Sequence, residues 1–186
     1  NLHCTWCDSK YSWDWKDYDI NKETKVMTVD EIMLELYRLD RHMRMLVITG
    51  GEPLIWKEQL DELCDRLASR AIRIEIETNG TIDPGVLNDY VAQYNVSPKL
   101  SNSGNERQKR LNYTSLTALA DNHKAIFKFV VSDMKDFKEI DELVHLLAIP
   151  KSRVWCSPLG ISTEETGASL QAVAKGVLER GWNLSH

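Results

Sequence analysis

Residues 45–53 have the sequence Met-Leu-Val-Ile-Thr-Gly-Gly-Glu-Pro, a short apolar run followed by two glycines, a carboxylate and a proline. An apolar run of this length that stops at a pair of glycines is typical of a strand buried inside a parallel sheet. Glycine lets the backbone approach a ligand closely, and Glu52 adds a carboxylate at the same point. We therefore predict a buried strand from Met45 to Thr49 whose carboxyl end carries functional groups.

Two amphipathic helices are predicted on either side of this strand. Thr28 and Glu31 have the spacing of a capping box, in which each side chain bonds a free backbone amide at the start of a helix. One face of the helix that follows would carry Ile32, Leu36, Leu39 and Met43. The second helix has four residues at the spacing i, i+3, i+4 and i+7, namely Leu60, Leu63, Cys64 and Leu67.

The same alternation continues to the end of the chain. Further strands are predicted over 72–78, 95–100, 125–131 and 153–157, and further helices over 84–94, 106–121, 137–147 and 166–180. Five strands that alternate with helices indicate an α/β fold with a parallel sheet, because each right-handed crossover returns the chain in the same direction. The 186 residues suit a single domain. In such sheets, ligands bind at the carboxyl ends of the strands.

Composition excludes several classes of protein. The chain has 23 Lys and Arg against 28 Asp and Glu, a formal charge of −5, which argues against a general nucleic-acid binder. No apolar run approaches the roughly 20 residues that a membrane-spanning helix needs. Four cysteines are too few for a disulfide scaffold, so we expect a cytoplasmic protein.

Three predicted strands end in polar or glycine-rich segments, at residues 49–53, 77–81 and 97–104. Each segment alone is compatible with a tight turn. Because all three follow strands of one parallel sheet, a shared ligand pocket is favoured.

The segment His3-Cys-Thr-Trp-Cys-Asp-Ser9 carries the sharpest chemical signal. A Cys-x-x-Cys pair brings two soft thiolates to one metal centre, as zinc and iron–sulfur sites require, and thioredoxin-like redox sites have the same spacing. A structural zinc would need two further ligands, and the chain has no second Cys-x-x-Cys motif. Cys64 and Cys156 lie within predicted apolar elements and are interpreted as core residues.

Four motifs together resemble those of the radical S-adenosylmethionine superfamily and, within it, are similar to the 7-carboxy-7-deazaguanine synthases. They are residues 4–13 (Cys-Thr-Trp-Cys-Asp-Ser-Lys-Tyr-Ser-Trp), 49–54 (Thr-Gly-Gly-Glu-Pro-Leu), 77–81 (Glu-Thr-Asn-Gly-Thr) and 97–101 (Ser-Pro-Lys-Leu-Ser). The resemblance implies a partial (β/α)6 TIM-like barrel that forms one radical S-adenosylmethionine domain over residues 1–186. It also implies that the first cysteine of the cluster motif stands one residue before Asn1, and that a substrate loop and a C-terminal tail lie outside the segment.

The reaction implied by the resemblance is the ring contraction of 6-carboxy-5,6,7,8-tetrahydropterin to 7-carboxy-7-deazaguanine with loss of ammonia, in the formation of the queuosine precursor. The implied cofactors are a [4Fe–4S] cluster, S-adenosylmethionine and Mg²⁺. The implied partners are the pterin substrate and a flavodoxin- or ferredoxin-type electron donor, with a homodimer possible and with no nucleic acid or membrane.

The resemblance also assigns roles to individual residues. Cys4 and Cys7 would ligate the cluster, and Ser9 would bind Mg²⁺ through its hydroxyl. The residues that would contact S-adenosylmethionine are Trp6, Asp8, Gly51, Glu52, Ser97, Pro98 and Lys99. Thr49 would face the substrate and Thr78 is a further candidate for it, although a strand-end hydroxyl also explains Thr78. Two alternatives stay open: another radical S-adenosylmethionine enzyme, such as a glycyl-radical activase, and a non-catalytic module in which Cys4 and Cys7 hold zinc.

Overall fold

A computed structural model describes residues 1–160 and 162–185 of the chain. The chain forms two compact units. The first unit contains Asn1 and residues 9–77 and 84–94, and the second contains residues 2–8, 78–83 and 95–186. Among the described residues, no helix combines the length and the apolar character that a membrane span requires.

The strands belong to one six-stranded sheet, in the order β1-β2-β3-β4-β5-β6. Their bounds are Met45–Ile48 (β1), Arg73–Thr78 (β2), Gln93–Val96 (β3), Ala125–Val131 (β4), Val154–Pro158 (β5) and Asn183–Leu184 (β6). β1 pairs in parallel with β2, and β4 pairs in parallel with β5, which also pairs in parallel with β6. The prediction of a parallel α/β sheet is confirmed, with one strand more than the five predicted because β6 has only two residues.

Seven helices are described: α1 (Ile20–Glu23), α2 (Val29–Leu39), α3 (Lys57–Ala68), α4 (Arg107–Arg110), α5 (Tyr113–Asp121), α6 (Asp136–Leu146) and α7 (Thr163–Arg180). In the first unit, the predicted capping box is present. The Thr28 hydroxyl accepts a hydrogen bond from the Glu31 amide, and the Glu31 carboxylate accepts one from the Thr28 amide at 2.7 Å. α3 also forms as predicted, with Leu63, Cys64 and Leu67 buried on one face.

The prediction that Met43 extends the apolar face of α2 is wrong, because the helix ends at Leu39. The next residue, Asp40, has an extended backbone, and its carboxylate accepts a hydrogen bond from the His42 amide at 2.8 Å. A short polar side chain that bonds the local backbone competes with the helix in this way.

β1 is less buried than predicted. The side chains of Met45 and Val47 are 50% and 39% exposed. β1 is the first strand of the sheet order, so it pairs with a neighbouring strand on one side only. Met45 and Val47 are alternate residues on one face of β1, whereas the continuous apolar run had predicted cover on both faces.

The predicted helix over 84–94 is also wrong. One 3-10 turn spans Gly85–Asp89, and the chain then enters β3 at Gln93. The Ala92 amide donates to the Ile74 carbonyl at 2.8 Å, so pairing with β2 takes the backbone group that a helix would have used.

In the second unit, the predicted helix over 106–121 consists of two helices, α4 and α5. Asn112 separates them because its side chain accepts a hydrogen bond from the Ser115 amide and caps α5. β4, α6 and β5 form where they were predicted, and alternate residues of β4 (Ala125, Phe127, Phe129 and Val131) are fully buried.

A cation–aromatic cluster ties the last elements of the second unit together. The Arg180 guanidinium lies 4.7 Å from the Phe137 ring centroid and 5.5 Å from that of Trp182, and the two rings stack at 6.3 Å. Two nitrogens of Arg180 donate to the Asp141 carboxylate at 2.8 Å each. The cluster therefore connects α6, the end of α7 and the start of β6.

We predict that Arg180→Ala lowers the free energy of unfolding by about 1–2 kcal/mol, because it removes both the ring contacts and a partly exposed ion pair. Urea unfolding followed by circular dichroism measures this. Lys175→Ala is the matched control, because it removes an exposed cation from the same helix. Equal unfolding midpoints for the two variants would contradict the role given to the cluster.

Candidate functional site

Cys4 and Cys7 lie in one tight turn of the second unit, in which the Cys7 amide donates to the Cys4 carbonyl at 3.2 Å. Cys4 is buried, with 7% exposure, and Cys7 is half-buried. Neither sulfur forms a disulfide bond. The turn therefore presents two soft sulfur ligands from residues three positions apart, as the sequence motif requires.

The segment from Ser101 to Asn105 holds this turn. The Thr5 amide donates to the Ser103 carbonyl and the His3 amide to the Asn105 side-chain oxygen, both at 3.0 Å. Gly104 has a φ of +77°, and a β-carbon there would lie 2.8 Å from the Thr5 methyl group. Only glycine satisfies both the left-handed backbone and the close approach at this position.

Trp6 and Lys99 lie beside each other in the same unit. The Lys99 ammonium is 5.7 Å from the Trp6 ring centroid and donates to the Ser97 hydroxyl at 2.9 Å. The Trp6 indole nitrogen donates to the Asn102 carbonyl at 3.1 Å. Pro98 is buried and lies two residues after β3 ends at Val96. The structure thus brings Trp6 of one motif together with Ser97 and Lys99 of another, about 90 positions away in the sequence.

The environment of Cys4 combines opposing influences on its thiol. Burial raises the pKa of Cys4 and has the largest effect, while the Lys99 ammonium lowers the pKa. The neighbouring Cys7 raises it further, and hydrogen bonds with Asn105 and Ser103 lower it. The pKa of Cys4 is above its ordinary value as a result, but the groups around the sulfur include a cation and hydrogen-bond donors that would stabilise a thiolate.

The buried guanidinium of Arg110 supports the segment between β3 and α4. It donates to the Lys99 carbonyl at 2.8 Å and to the Asn105 carbonyl at 3.2 Å, and it pairs with Glu139 at 2.5 Å. The other oxygen of Glu139 accepts from the Ser101 amide at 2.8 Å. Glu139 of α6 thereby holds the Ser101 amide directly and, through Arg110, the carbonyls of Lys99 and Asn105.

The remaining candidates of the second unit are Thr78 and Asp8. Thr78 is buried, and its hydroxyl accepts a hydrogen bond from the Gly80 amide at 3.1 Å. This contact fits a strand-end hydroxyl that stabilises a turn. Asp8 is exposed.

Four predicted site residues lie in the first unit. The Thr49 hydroxyl donates to the Glu77 carboxylate at 3.0 Å at the ends of β1 and β2. Glu52 is 3% exposed, and one of its oxygens accepts from the Leu54 amide at 3.1 Å. Ser9 precedes a 3-10 turn over Lys10–Ser12, and its carbonyl accepts two hydrogen bonds from Ser12. Gly51 approaches the same Ser12, since a β-carbon on this glycine would lie 3.8 Å from the Ser12 hydroxyl.

Within residues 1–160 and 162–185, no group of three or more His, Cys, Asp and Glu side chains is arranged to hold a metal ion. Cys4 and Cys7 therefore fit a metal or an iron–sulfur cluster as a pair of thiol ligands rather than as a complete site.

Sequence reasoning did not identify three residues that shape this site, namely Asn102, Asn105 and Arg110. For Asn102 the only signal was the polar stretch that follows Lys99 and ends in Gly104, and Asn105 and Arg110 lie beyond that glycine. Their contacts reach side chains and backbone up to 102 positions away in the sequence, so no local pattern reveals them.

Residues 1–112 match the Radical SAM superfamily. The chain is 37% identical to the 7-carboxy-7-deazaguanine synthase of Pyrobaculum aerophilum over 99% of this chain and 78% of that protein. It is 31% identical to the protein of the same name from Rhodopirellula baltica over 98% of this chain and 71% of that protein. Among solved structures, QueE from Escherichia coli superimposes with a TM-score of 0.69 at 25% identity, covering 99% of this chain and 79% of the other. This similarity confirms the predicted fold class, an α/β fold of the partial (β/α)6 type.

The four thiols are predicted to react with iodoacetamide at very different rates in the metal-free protein. Burial raises the pKa of Cys64 to about 11 and that of Cys156 to about 12. At pH 8, a thiol with a pKa of 11 is about 0.1% thiolate, which is the reactive form. We expect half-buried Cys7 to react first, Cys4 more slowly, and Cys64 and Cys156 only after unfolding.

Peptide mass spectrometry over a time course measures the four rates. The same reaction in urea is the control, in which all four cysteines should be modified. Modification of Cys64 or Cys156 as fast as Cys7 in the folded protein would show that these two thiols are not core residues.

Proposed function

Since the chain belongs to the radical S-adenosylmethionine superfamily and, within it, to the 7-carboxy-7-deazaguanine synthases, we propose that it contracts the ring of 6-carboxy-5,6,7,8-tetrahydropterin to 7-carboxy-7-deazaguanine, with loss of ammonia. The chain is an enzyme of this type, so the alternative of a non-catalytic zinc module is dropped. The observation that carries the proposal is the Cys4–Cys7 turn with Trp6 and Lys99 beside it.

Membership of the superfamily implies a [4Fe–4S] cluster and S-adenosylmethionine. When bound, these cofactors supply a 5′-deoxyadenosyl radical that removes a hydrogen atom from the substrate. Cys4 and Cys7 would hold the cluster, and this is supported by the position of both thiols, neither in a disulfide, in one turn. The protein's contribution is to bind and orient the cofactors and the substrate and to exclude competing reactions.

The second unit would bind S-adenosylmethionine through Trp6, Asp8, Ser97, Pro98 and Lys99. A half-buried ammonium held by Ser97 and an aromatic ring is suited to the carboxylate of a zwitterionic ligand, because it is partly desolvated and already oriented. For Gly51 and Glu52 we propose a role as acceptors for an amine group. The burial of Glu52 supports this role, since a buried carboxylate is a strong acceptor for a cationic group.

Substrate contacts are proposed for Thr49 and Thr78. The Thr49 hydroxyl is held by Glu77 at the end of β1, so its direction is set before a ligand arrives. We also propose that residues 1–186 act as one domain of a cytoplasmic enzyme. A flavodoxin- or ferredoxin-type donor would supply the electron, and a homodimer is the proposed assembly.

Product analysis tests the reaction. The full-length protein is reconstituted anaerobically with iron and sulfide, supplied with dithionite, S-adenosylmethionine and the carboxylated tetrahydropterin, and its products are separated by mass spectrometry. We expect 7-carboxy-7-deazaguanine together with 5′-deoxyadenosine. Cleavage of S-adenosylmethionine without the deazaguanine would instead favour another radical enzyme, such as a glycyl-radical activase.

Lys99→Met is predicted to weaken S-adenosylmethionine binding by about tenfold to a hundredfold. This corresponds to about 1.5–3 kcal/mol for one lost hydrogen bond to a charged group. Isothermal titration of the reconstituted protein measures the dissociation constant, and iron content should stay unchanged. Lys128→Met is the control, because Lys128 is an exposed lysine on β4. If Lys99→Met keeps the wild-type affinity, Lys99 does not bind this ligand.

Ser9→Ala is predicted to abolish the stimulation of turnover by Mg²⁺, while the visible spectrum of the cluster stays the same. Magnesium keeps several waters and takes few protein oxygens, so loss of one hydroxyl removes a large part of the site. Ser9→Thr retains a hydroxyl and should retain the stimulation. A wild-type response to Mg²⁺ in Ser9→Ala would move the proposed magnesium site to other residues.

A further inference from the structure

The side-chain amide of Asn105 lies directly against the sulfur of Cys4. Its nitrogen is 3.4 Å from the Cys4 sulfur, 3.3 Å from the Ser103 hydroxyl and 3.5 Å from the Ser103 carbonyl. An amide group carries two hydrogens, so it can donate to the sulfur and to Ser103 at the same time. Cys4 is the more buried of the two thiols in the turn, and water has little access to its sulfur.

The orientation of this amide is determined by its other end. The Asn105 side-chain oxygen accepts a hydrogen bond from the His3 backbone amide at 3.0 Å. A backbone N–H can only donate, so the oxygen of Asn105 must face His3 and the nitrogen must face the sulfur. The polarity of the contact with Cys4 is therefore set by a group that does not change its protonation.

The backbone of Asn105 is also held firmly. Its amide donates to the Ser103 hydroxyl at 3.4 Å, and its carbonyl accepts from the buried Arg110 guanidinium at 3.2 Å. The preceding Gly104 has a left-handed backbone against Thr5. Contacts on both sides of the residue keep the amide at the sulfur, which is the requirement for a supporting residue of a metal ligand.

We propose that Asn105 is a positioning residue for the iron–sulfur cluster, donating an N–H···S hydrogen bond to the Cys4 thiolate and thereby raising the reduction potential of the cluster. The inference rests on the proposed function, in which Cys4 is a cluster ligand. A donor beside a thiolate stabilises the more negative, reduced form of the cluster, and hydrogen bonds to ligand sulfurs are among the factors that set such potentials.

Two substitutions separate this role from a merely structural one. Asn105→Asp keeps an oxygen to accept from the His3 amide, but it replaces the donor at the sulfur with a carboxylate oxygen. Asn105→Ala removes both contacts. Asn21→Ala is the control, because it deletes an exposed asparagine side chain from α1, in the first unit.

The midpoint potential of each variant is measured by redox titration of the reconstituted full-length protein, followed by electron paramagnetic resonance. We expect the potential to fall in the order wild type, Asn105→Ala, Asn105→Asp. For Asn105→Asp we expect about a tenfold change in the reduction equilibrium, which equals 59 mV for a one-electron couple. Asn21→Ala should match the wild type.

An Asn105→Asp variant with the wild-type potential would overturn the inference, because it would show that Asn105 only anchors His3. If the wild-type protein binds no iron–sulfur cluster, the proposed function fails and the inference fails with it. A wild type with a normal cluster and an unchanged Asn105→Asp variant would sink the inference alone.

A direct measurement on the wild type covers the case in which a variant does not fold. Protein labelled with ¹⁵N-asparagine is reduced and studied by pulsed electron paramagnetic resonance. We expect a hyperfine coupling from one side-chain amide nitrogen of asparagine, with exchangeable protons that are lost in deuterium oxide. Absence of this coupling in the reduced wild type would also overturn the inference.

Discussion

The ion pair between Arg110 and Glu139 is the interaction on which the candidate site of the second unit depends. Arg110 is 5% exposed, and a buried charge is stable only when it is paired and its donors are used. Its donors reach the Lys99 and Asn105 carbonyls, and Glu139 uses its second oxygen on the Ser101 amide. Segment 99–105 is irregular apart from one short turn, so these contacts replace the regular backbone bonding of a helix or strand. This segment also holds the turn that contains Cys4 and Cys7.

The regular elements of the fold could be predicted where a local pattern has one explanation. The capping box at Thr28 and the apolar spacing of α3 each depend on neighbours within seven residues, and both predictions are confirmed. The predictions failed where pairing with a distant strand decides the conformation. Residues 84–94 have an acceptable helical start at Pro84, but Ala92 bonds to β2 instead. The two residues of β6 are too few to show any periodicity.

The candidate site shows the same division between local motifs and distant contacts. The spacing of Cys4 and Cys7 is a local property, and the sequence identified it directly. The supporting residues are chosen by geometry: Asn105 contacts Cys4, and Arg110 contacts Glu139 across 29 positions. Asn and Arg are common in polar connections and have no signature of their own there. Their function becomes visible only when the fold brings a sulfur or a carboxylate within bonding distance.

The distribution of charge at the site differs from that of the whole chain. The formal net charge is −5, yet the groups that face Cys4 are the Lys99 ammonium and the amide and hydroxyl of Asn105 and Ser103. Burial raises the pKa of the Cys4 thiol and the neighbouring Cys7 raises it further, whereas Lys99, Asn105 and Ser103 act in the opposite direction. The chain thus removes water from the sulfur and replaces it with fixed donors and one cation. An anionic sulfur in this place would be stabilised by oriented groups that need no rearrangement, which is the condition a buried thiolate ligand requires.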